Sequence, residues 1–378
     1  MQVYADNAAT TKMKPEAVQA VTEAMNETYG NPSGVYGAAR DAKIAMEAAR
    51  YSIASQLGAK TNEIFFTSGG SESNTQALLS AAAMMSQQGK THIITTDIEH
   101  ASVRKPIEQL EAMGFTVTTV HVGKDGVLDP ARIHEAIREE TAVVSVMMAN
   151  NEIGTIQPIR EIGALCHIGN TLFHVDAVQA AGHLPIDVTD LDCDLLSLSA
   201  HKFGGPKGVG ALYARSNVDL SPLILGGPQE RGRRAGTENV PGIVGMAEAL
   251  DLACDHMAEN TKKTLAMRDR LMDGLLAIPG TTLNGDREKR LPGNVSVCFD
   301  GISSEVLLVK LDEAGICASA GSACQAGSLD PSPVLLAIGR TEEEAMSSLR
   351  LTINEDNNDA EIDYLIATIT KCVEELRK

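Results

Sequence analysis

The sequence predicts an α/β protein, with a mostly parallel sheet wrapped by helices and a smaller α+β domain after it. Three observations carry that prediction. Short apolar strand patterns alternate with helical ones from about residue 63 to 199, the chemistry-bearing residues fall at the strand ends, and after Pro279-Gly280 the rhythm changes to a smaller set of elements. A length of 378 residues suggests two domains. With 43% hydrophobic and 22% charged residues, few aromatics and no Trp, Ala, Leu, Ile and Val must fill the core.

In order, Asp6-Asn7-Ala8-Ala9-Thr10-Thr11 is a small-residue segment after a brief apolar start. Pro15 opens a helix with Val18, Val21 and Met25 on one face, because proline's fixed φ suits a first turn. The Gly30-Asn31-Pro32-Ser33-Gly34 turn ends it, and a second helix runs to Leu57 with Gly58 as its cap. Strands then read at 63–67, 92–96, 115–120, 142–148, 172–176 and 195–199, with helices at 72–88, 101–113 and 130–138. A long helical pattern covers 241–277. The smaller set follows: a strand at 295–299, a helix at 304–313, strands at 316–319 and 349–353, and a final helix at 360–376.

A net charge of −18 argues against general nucleic-acid binding, which rests on Lys and Arg neutralising phosphates. No apolar run reaches the roughly 18 residues of a membrane span, and no signal peptide is read at the start, so a cytoplasmic protein with no membrane partner is expected. The seven cysteines are odd in number, scattered and without a Cys-x-x-Cys pair, which disfavours a disulfide framework. No His or Cys spacing suits a structural metal.

The functional reading centres on Ser199-Ala200-His201-Lys202-Phe203-Gly204-Gly205-Pro206-Lys207-Gly208. Lys202 sits at a strand end and opens a Gly/Pro-rich turn, where backbone can approach a ligand closely, as a Schiff-base lysine requires. A basic surface turn has the same local sequence. Thr67-Ser68-Gly69-Gly70-Ser71-Glu72 joins a strand to a helix and offers backbone N–H groups, a hydroxyl and a helix N-terminus to an anion, although Ser71 as a plain helix cap fits equally. Asp176 ends its strand, with Gln179 three residues on. A carboxylate there can keep a pyridine nitrogen protonated, or can simply form the turn. His100 also follows a strand, as a proton carrier or a capping residue, and Asn151 lies at another strand end. Cys324 is set among Ala, Ser and Gly with little bulk to bury it, which suits a nucleophilic thiolate or an ordinary surface cysteine.

Taken together, these stretches resemble the NifS/IscS-like cysteine desulfurases of the class V aminotransferase fold. The resemblance runs through Tyr4 to Thr10, Thr67 to Asn74, Glu99-His100, Ala149 to Gly154, His174 to Gln179, Ser199 to Lys202, Arg233 to Asn239, Gly321 to Cys324 and Ser348-Leu349-Arg350. It implies a pyridoxal 5'-phosphate enzyme of fold type I with a seven-stranded-type sheet. It implies a large domain over 12–258 and a small domain from 1–11 and 259–378, the latter carrying the Cys324 loop at about 318–331. The implied roles are Lys202 as the Schiff-base lysine, Asp176 on the pyridinium nitrogen, Gln179 on the ring hydroxyl and His100 stacked on the ring beside Asn151. Gly70, Ser71, Ser199 and His201 would hold the phosphate, with Thr237 from the other subunit of a homodimer, and Arg350 would hold the substrate carboxylate together with Asn151. Lys202 and His100 would move the proton and Cys324 would take the sulfur of L-cysteine as a persulfide. The sulfur would pass to an acceptor such as an iron-sulfur scaffold or a relay for tRNA thiolation. Selenocysteine lysis or transamination on the same scaffold are the alternatives.

The sequence departs from that family's pattern in three places. Gly70-Ser71 replaces a more usual Ala-Thr, Gln325 follows the cysteine, and Leu351 to Asn358 replaces a Gly-Arg-Phe/Tyr-Thr-Thr run with an acidic, Asn-rich one.

Overall fold

The structure is a computed structural model, and it describes residues 1–321 and 330–378. The chain begins β1 (Val3–Tyr4), α1 (Pro15–Glu27), α2 (Gly37–Gln56), β2 (Ile64–Thr67), α3 (Gly70–Ser86), β3 (His92–Thr96), α4 (Ala101–Ala112) and β4 (Thr116–Val120). It continues α5 (Pro130–Ala136), β5 (Thr141–Met147), α6 (Ile159–Ile168), β6 (Leu172–Asp176), β7 (Leu195–Ser199) and β8 (Gly210–Ala214). After these come α7 (Val240–Asp255), α8 (Met257–Leu276), β9 (Thr281–Leu283), β10 (Asn294–Phe299), α9 (Ser304–Glu313) and β11 (Ile316–Cys317). The described elements close with α10 (Pro333–Ala337), α11 (Glu342–Ala345), β12 (Ser348–Thr352) and α12 (Asp359–Leu376).

Seven strands form the main sheet in the order β2-β8-β7-β6-β5-β3-β4, and only β8 runs against its neighbours. The period-two geometry of a strand sends Ile94, Val144 and Leu196 into one hydrophobic cluster and their neighbours Ile93, Val143 and Leu195 into another. Both faces of the sheet are therefore covered. This layering explains why β5 is buried at every residue and is mostly apolar, with Ser145 the one polar residue in its interior. A third cluster joins Val3 and Ala5 to residues of α8, β10, α9, β12 and α12. Here β10 lies antiparallel between β9 and β12, while β1 pairs in parallel with β11.

Several elements differ from the pattern read in the sequence. Val18 and Met25 are exposed, and α1 instead buries Ala17 and Ala24, because small residues allow close packing against α7. The 241–277 pattern is two helices that meet at His256. The expected strand over 316–319 is only Ile316–Cys317, and Ser319 bridges Arg350 instead. Strands β8 and β9 and helices α6, α10 and α11 lie outside the expected set; β8 is Gly- and Ala-rich, and α10 and α11 span only five and four residues.

The acidic, Asn-rich run has a local explanation. Asn358 caps α12 in a reciprocal arrangement with Glu361, and the Asn357 side chain accepts from the Asn354 N–H. Glu355 and Asp356 bind Lys14 at 2.6 and 3.0 Å. Burial opposes the charge on Lys14, but its bonds to these carboxylates outweigh it and raise its pKa. Among the described residues, no helix is long and apolar enough to cross a membrane, and no cluster of His, Cys, Asp and Glu could hold a metal ion.

Candidate active site

In the parallel part of the sheet the strands end on one edge, and the register sets Met147 beside Asp176 and Asp176 beside Ser197. Chain leaving that edge builds the site, as expected where an α/β sheet binds a ligand. After β7, a single 3-10 turn over Ala200–Lys202 lifts Lys202 out of the sheet. The N-terminal segment is stitched to this turn. Thr11 N–H and Oγ1 both donate to the His201 carbonyl at 2.9 Å, and Thr11 Oγ1 accepts from Gly204 N–H at 2.8 Å. Lys202 Nζ then donates to the carbonyls of Ala8 and Ala9 at 2.5 and 2.8 Å. Gln179 Nε2 donates to the same Ala8 carbonyl at 3.0 Å. His183 Nε2 meets the Lys202 carbonyl at 3.2 Å, and burial holds its pKa below the usual range.

Beside this turn lies a cleft of about 410 Å³ lined by Gly69, Gly70, Ser71, Ser199, His201 and Lys207, among others. Gly69 is the N-cap of α3 at φ 150°, without a side-chain cap bond, so Ser71 is not the cap. The first N–H groups of an α-helix have no carbonyl four residues back, and here they open toward the cleft with the positive end of the helix dipole. Gly70 is required for a local reason: a Cβ there would stand 2.6 Å from Val178 Cγ2. Burial first, then Lys202 and Lys207, push His201 down to about 4, so it is neutral near pH 7, with Nδ1 at 3.1 Å from Thr10 Oγ1. Burial alone would raise the Glu72 carboxyl, but Arg234 and the Ser68 N–H outweigh it and hold it ionised below its usual range. Helix dipole, hydroxyls and Lys207 thus make the cleft suited to a dianion.

Asp176 is buried at the end of β6, where its carboxylate accepts from Asn74 Nδ2 at 2.7 Å and from Val178 N–H at 3.0 Å. His100 caps α4, its Nδ1 accepting from Ser102 N–H at 3.1 Å. Arg350, 1% exposed on β12, donates to the Asn151 carbonyl at 3.1 Å and to Asp6 Oδ1 at 2.8 Å. Its Nε has no hydrogen-bond partner among the described residues.

These donors fit pyridoxal phosphate. A dianion cradle, a buried acceptor for a pyridinium N–H and a lysine amine at a strand end lie on one sheet edge, with a buried guanidinium nitrogen still to be satisfied.

The chain matches the family model described as Aminotransferase class-V over residues 3–365. It belongs to that family. A relative from Methanosarcina thermophila named "Cysteine desulfurase IscS" is 49% identical over 99% of this chain and 93% of its own. One of the same name from Clostridium botulinum strain Hall is 49% identical over 100% and 96%. A solved structure titled "NIFS-LIKE PROTEIN" superposes with a TM-score of 0.94 at 38% identity, covering 100% of both chains.

Within this class-V aminotransferase site, Gly70, Ser71, Ser199 and His201 line one cleft, while Lys202 and Gln179 share a carbonyl and Arg350 touches Asn151. Thr237 is exposed on the loop before α7, apart from them. Cys324 lies outside the described residues. On either side of that segment, Ser332 Oγ donates to Glu152 Oε2 at 2.5 Å, and Gly321 N–H donates to Ser348 Oγ at 3.2 Å. A Cβ on Gly321 would come within 3.1 Å of Glu152 Oε2, so both flanks converge on that carboxyl.

Sequence reasoning passed over Asp6, Asn74, Ser102 and Glu152. Asn74 and Glu152 stand inside motifs quoted for their neighbours, and Ser102 follows His100 by two residues, the spacing of a side chain that bonds local backbone.

Proposed function

We propose that the protein is a cysteine desulfurase that uses pyridoxal 5'-phosphate to take sulfur from L-cysteine, leaving L-alanine and a persulfide on Cys324. The observation that carries this reading is the Lys202 amine just past the end of β7, on the sheet edge that also carries the anion cradle and buried Asp176, in a chain whose full length aligns with cysteine desulfurases. When bound, the cofactor supplies an electron sink that acidifies the Cα proton of an amino acid. Gly70, Ser71, Ser199 and His201 would hold its phosphate, joined by Thr237 of a second copy in a homodimer. Asp176 would accept from its ring nitrogen, and Gln179 would reach its hydroxyl. The His100 ring would lie against it.

Arg350, oriented by Asp6 and the Asn151 carbonyl, would take the substrate carboxylate, because a guanidinium offers paired donors to paired oxygens. Lys202 and His100 would carry the Cα proton. The Cys324 thiolate attacks the substrate sulfur: an S–S bond forms, the Cβ–S bond breaks, and its electron pair stays on carbon until a proton completes alanine. No external oxidant is needed. The persulfide then passes to an acceptor thiol, such as that of an iron-sulfur scaffold or a sulfur-relay protein. The separate cluster built from Val3, Ala5 and residues of the C-terminal third supports a small domain made of 1–11 and 259–378.

The test is alanine and sulfide release from L-cysteine in the presence of a dithiol, for the wild type beside Cys324→Ala. Equal amounts of both products, lost in the variant, are expected. Undiminished turnover in Cys324→Ala would reject the persulfide route and leave a transaminase or lyase on the same scaffold; turnover confined to selenocysteine would reject cysteine as the substrate.

A further inference from the structure

Asp176 and His100 lie on different elements, β6 and the start of α4, and two further side chains join them. Asn74, in the second turn of α3 and fully buried, donates from Nδ2 to Asp176 Oδ2 at 2.7 Å and from the same nitrogen to Ser102 Oγ at 2.9 Å. Ser102 Oγ lies 2.7 Å from His100 Nδ1, and the Ser102 N–H points at that nitrogen from 3.1 Å.

Hydrogen counting fixes the direction of every bond in this chain. An amide nitrogen has two hydrogens, and both are used, on two acceptors. Turning the amide over would set Asn74 Oδ1 against the Asp176 carboxylate, oxygen to oxygen. Ser102 Oγ accepts from Asn74 and keeps its one hydrogen to donate, and it can donate that hydrogen to His100 Nδ1 once Nδ1 is shown to be an acceptor. The backbone N–H of Ser102 can only donate, so Nδ1 must accept. A neutral imidazole whose Nδ1 accepts carries its proton on Nε2.

We infer that Asn74 and Ser102 are positioning residues that lock His100 in its Nε2-protonated form and tie the ring to Asp176. The inference rests on the roles proposed above for His100 and Asp176. The cap of α4 does not account for the arrangement, since capping uses only the Ser102 backbone N–H; the hydroxyl and the Asn74 amide add nothing to it. Asn74 is fully buried and Ser102 partly so, which stiffens the bridge, because hydrogen bonds shielded from water are strengthened and costly to leave unmade. Two groups expected to work on one cofactor would in this way share one frame.

The experiment is ¹⁵N NMR of the resting holoenzyme labelled at histidine, with the His100 signals assigned by subtracting the His100→Gln spectrum. In the wild type, His100 Nδ1 should show the shift of an unprotonated ring nitrogen and Nε2 that of a protonated one. Ser102→Ala keeps the backbone N–H on Nδ1, so Nε2 should stay protonated, but loss of the hydroxyl donor should shift the Nδ1 signal toward that of a less strongly hydrogen-bonded ring nitrogen, and Ser102→Thr should restore it. Alanine formation should fall about fivefold in kcat in Ser102→Ala and in Asn74→Ala, the size expected for one hydrogen bond, with KM unchanged. The double variant should fall no further than either single one.

Protonated Nδ1 in the wild type, unchanged signals in Ser102→Ala, or losses that multiply to about 25-fold would overturn the inference. Should Asn74→Ala fail to fold, the Ser102→Ala and Ser102→Thr pair decides alone. A fully active His100→Gln would remove the role of His100 itself, and the positioning claim with it, whereas unchanged NMR signals would remove the positioning claim only.

Discussion

Replacing Glu152 with Gln should flatten the pH dependence of stability between about pH 5 and 7. Burial, the largest influence, pushes this carboxyl up to about 7; the Ser332 hydroxyl and the charges of Arg350 and Arg104 offset only part of that. An unfolded chain releases the same proton near its ordinary 4.5. Between these values the native state holds a proton that the unfolded state has lost, so stability falls as pH rises through the window. Moving the group from 4.5 to about 7 corresponds to about 3 kcal/mol at about 1.4 kcal/mol per pH unit. The substituted amide would have no proton to release, and its carbonyl oxygen can still accept from Ser332. Urea midpoints of wild type and Glu152→Gln, taken at half-unit steps from pH 5 to 8, measure the difference. Buried Glu99, pushed up to about 8, acts with the same sign but is common to both proteins and cancels. The variant should gain on the wild type with rising pH, by about 3 kcal/mol at pH 8. Parallel curves across the range would mean that Glu152 is ionised in the native state throughout, and the account of its burial would be wrong.

Three further outcomes follow from the geometry. Gly70→Ala should weaken pyridoxal phosphate binding about tenfold or more in an absorbance titration, because the new Cβ meets Val178 Cγ2 at 2.6 Å; adding Val178→Ala should recover most of the loss, and no recovery would locate the damage elsewhere. Glu230→Ala should lower stability by about 3 kcal/mol in urea unfolding, since it leaves the Arg50 guanidinium, 2% exposed and now held at 2.7 Å, with only the partly exposed Glu47 and the Ile64 carbonyl, and leaves the buried Phe66 N–H without its acceptor; a loss below about 1 kcal/mol would show that water replaces the carboxylate. On the acid side, burial depresses His92 to about 4 and His174 to about 3. Their contribution is complete above about pH 6.5 and is lost as pH falls toward 3–4, so His174→Gln should soften the decline in the unfolding midpoint below pH 6.

The sheet was legible because alternating apolar runs have only one way to be buried on both faces, and β2 to β7 fall close to where the pattern places them. β8 is harder to read. Gly210 to Ala214 carries little bulk and runs antiparallel, so neither its composition nor the βαβ rhythm announces it. The face of α1 is misjudged from Val18 and Met25 because apolar periodicity weighs large residues, whereas close packing against α7 uses Ala17 and Ala24. At the site, Gly70, Ser71, Ser199 and His201, which line one cleft, could be named from the sequence because each stands in a motif at a strand end. Asn74 and Ser102 could not, because their significance lies in a contact between α3 and α4 that no spacing along the chain encodes. Gly70 shows the same limit from the other side. The reason for glycine there is a methyl of Val178, more than a hundred residues away.

The six residues from Asp6 to Thr11 explain how groups from both ends of the chain reach one place. Asp6 holds the Arg350 guanidinium, and the Ala8 and Ala9 carbonyls hold the Lys202 amine. Asn7 Nδ2 and the Ala8 N–H bind Thr352 at 2.8 Å each, which fixes the segment to β12, while Thr11 fixes it to the lysine turn. Two residues of extended chain span at most about 7 Å. The guanidinium and the amine are therefore spaced by a stretch of backbone too short to let them drift apart, even though 148 positions separate Lys202 from Arg350 in sequence. A substrate whose carboxylate and amine must be met at once needs that fixed spacing, and the small side chains of Asn7, Ala8 and Ala9 let the backbone itself act as the spacer.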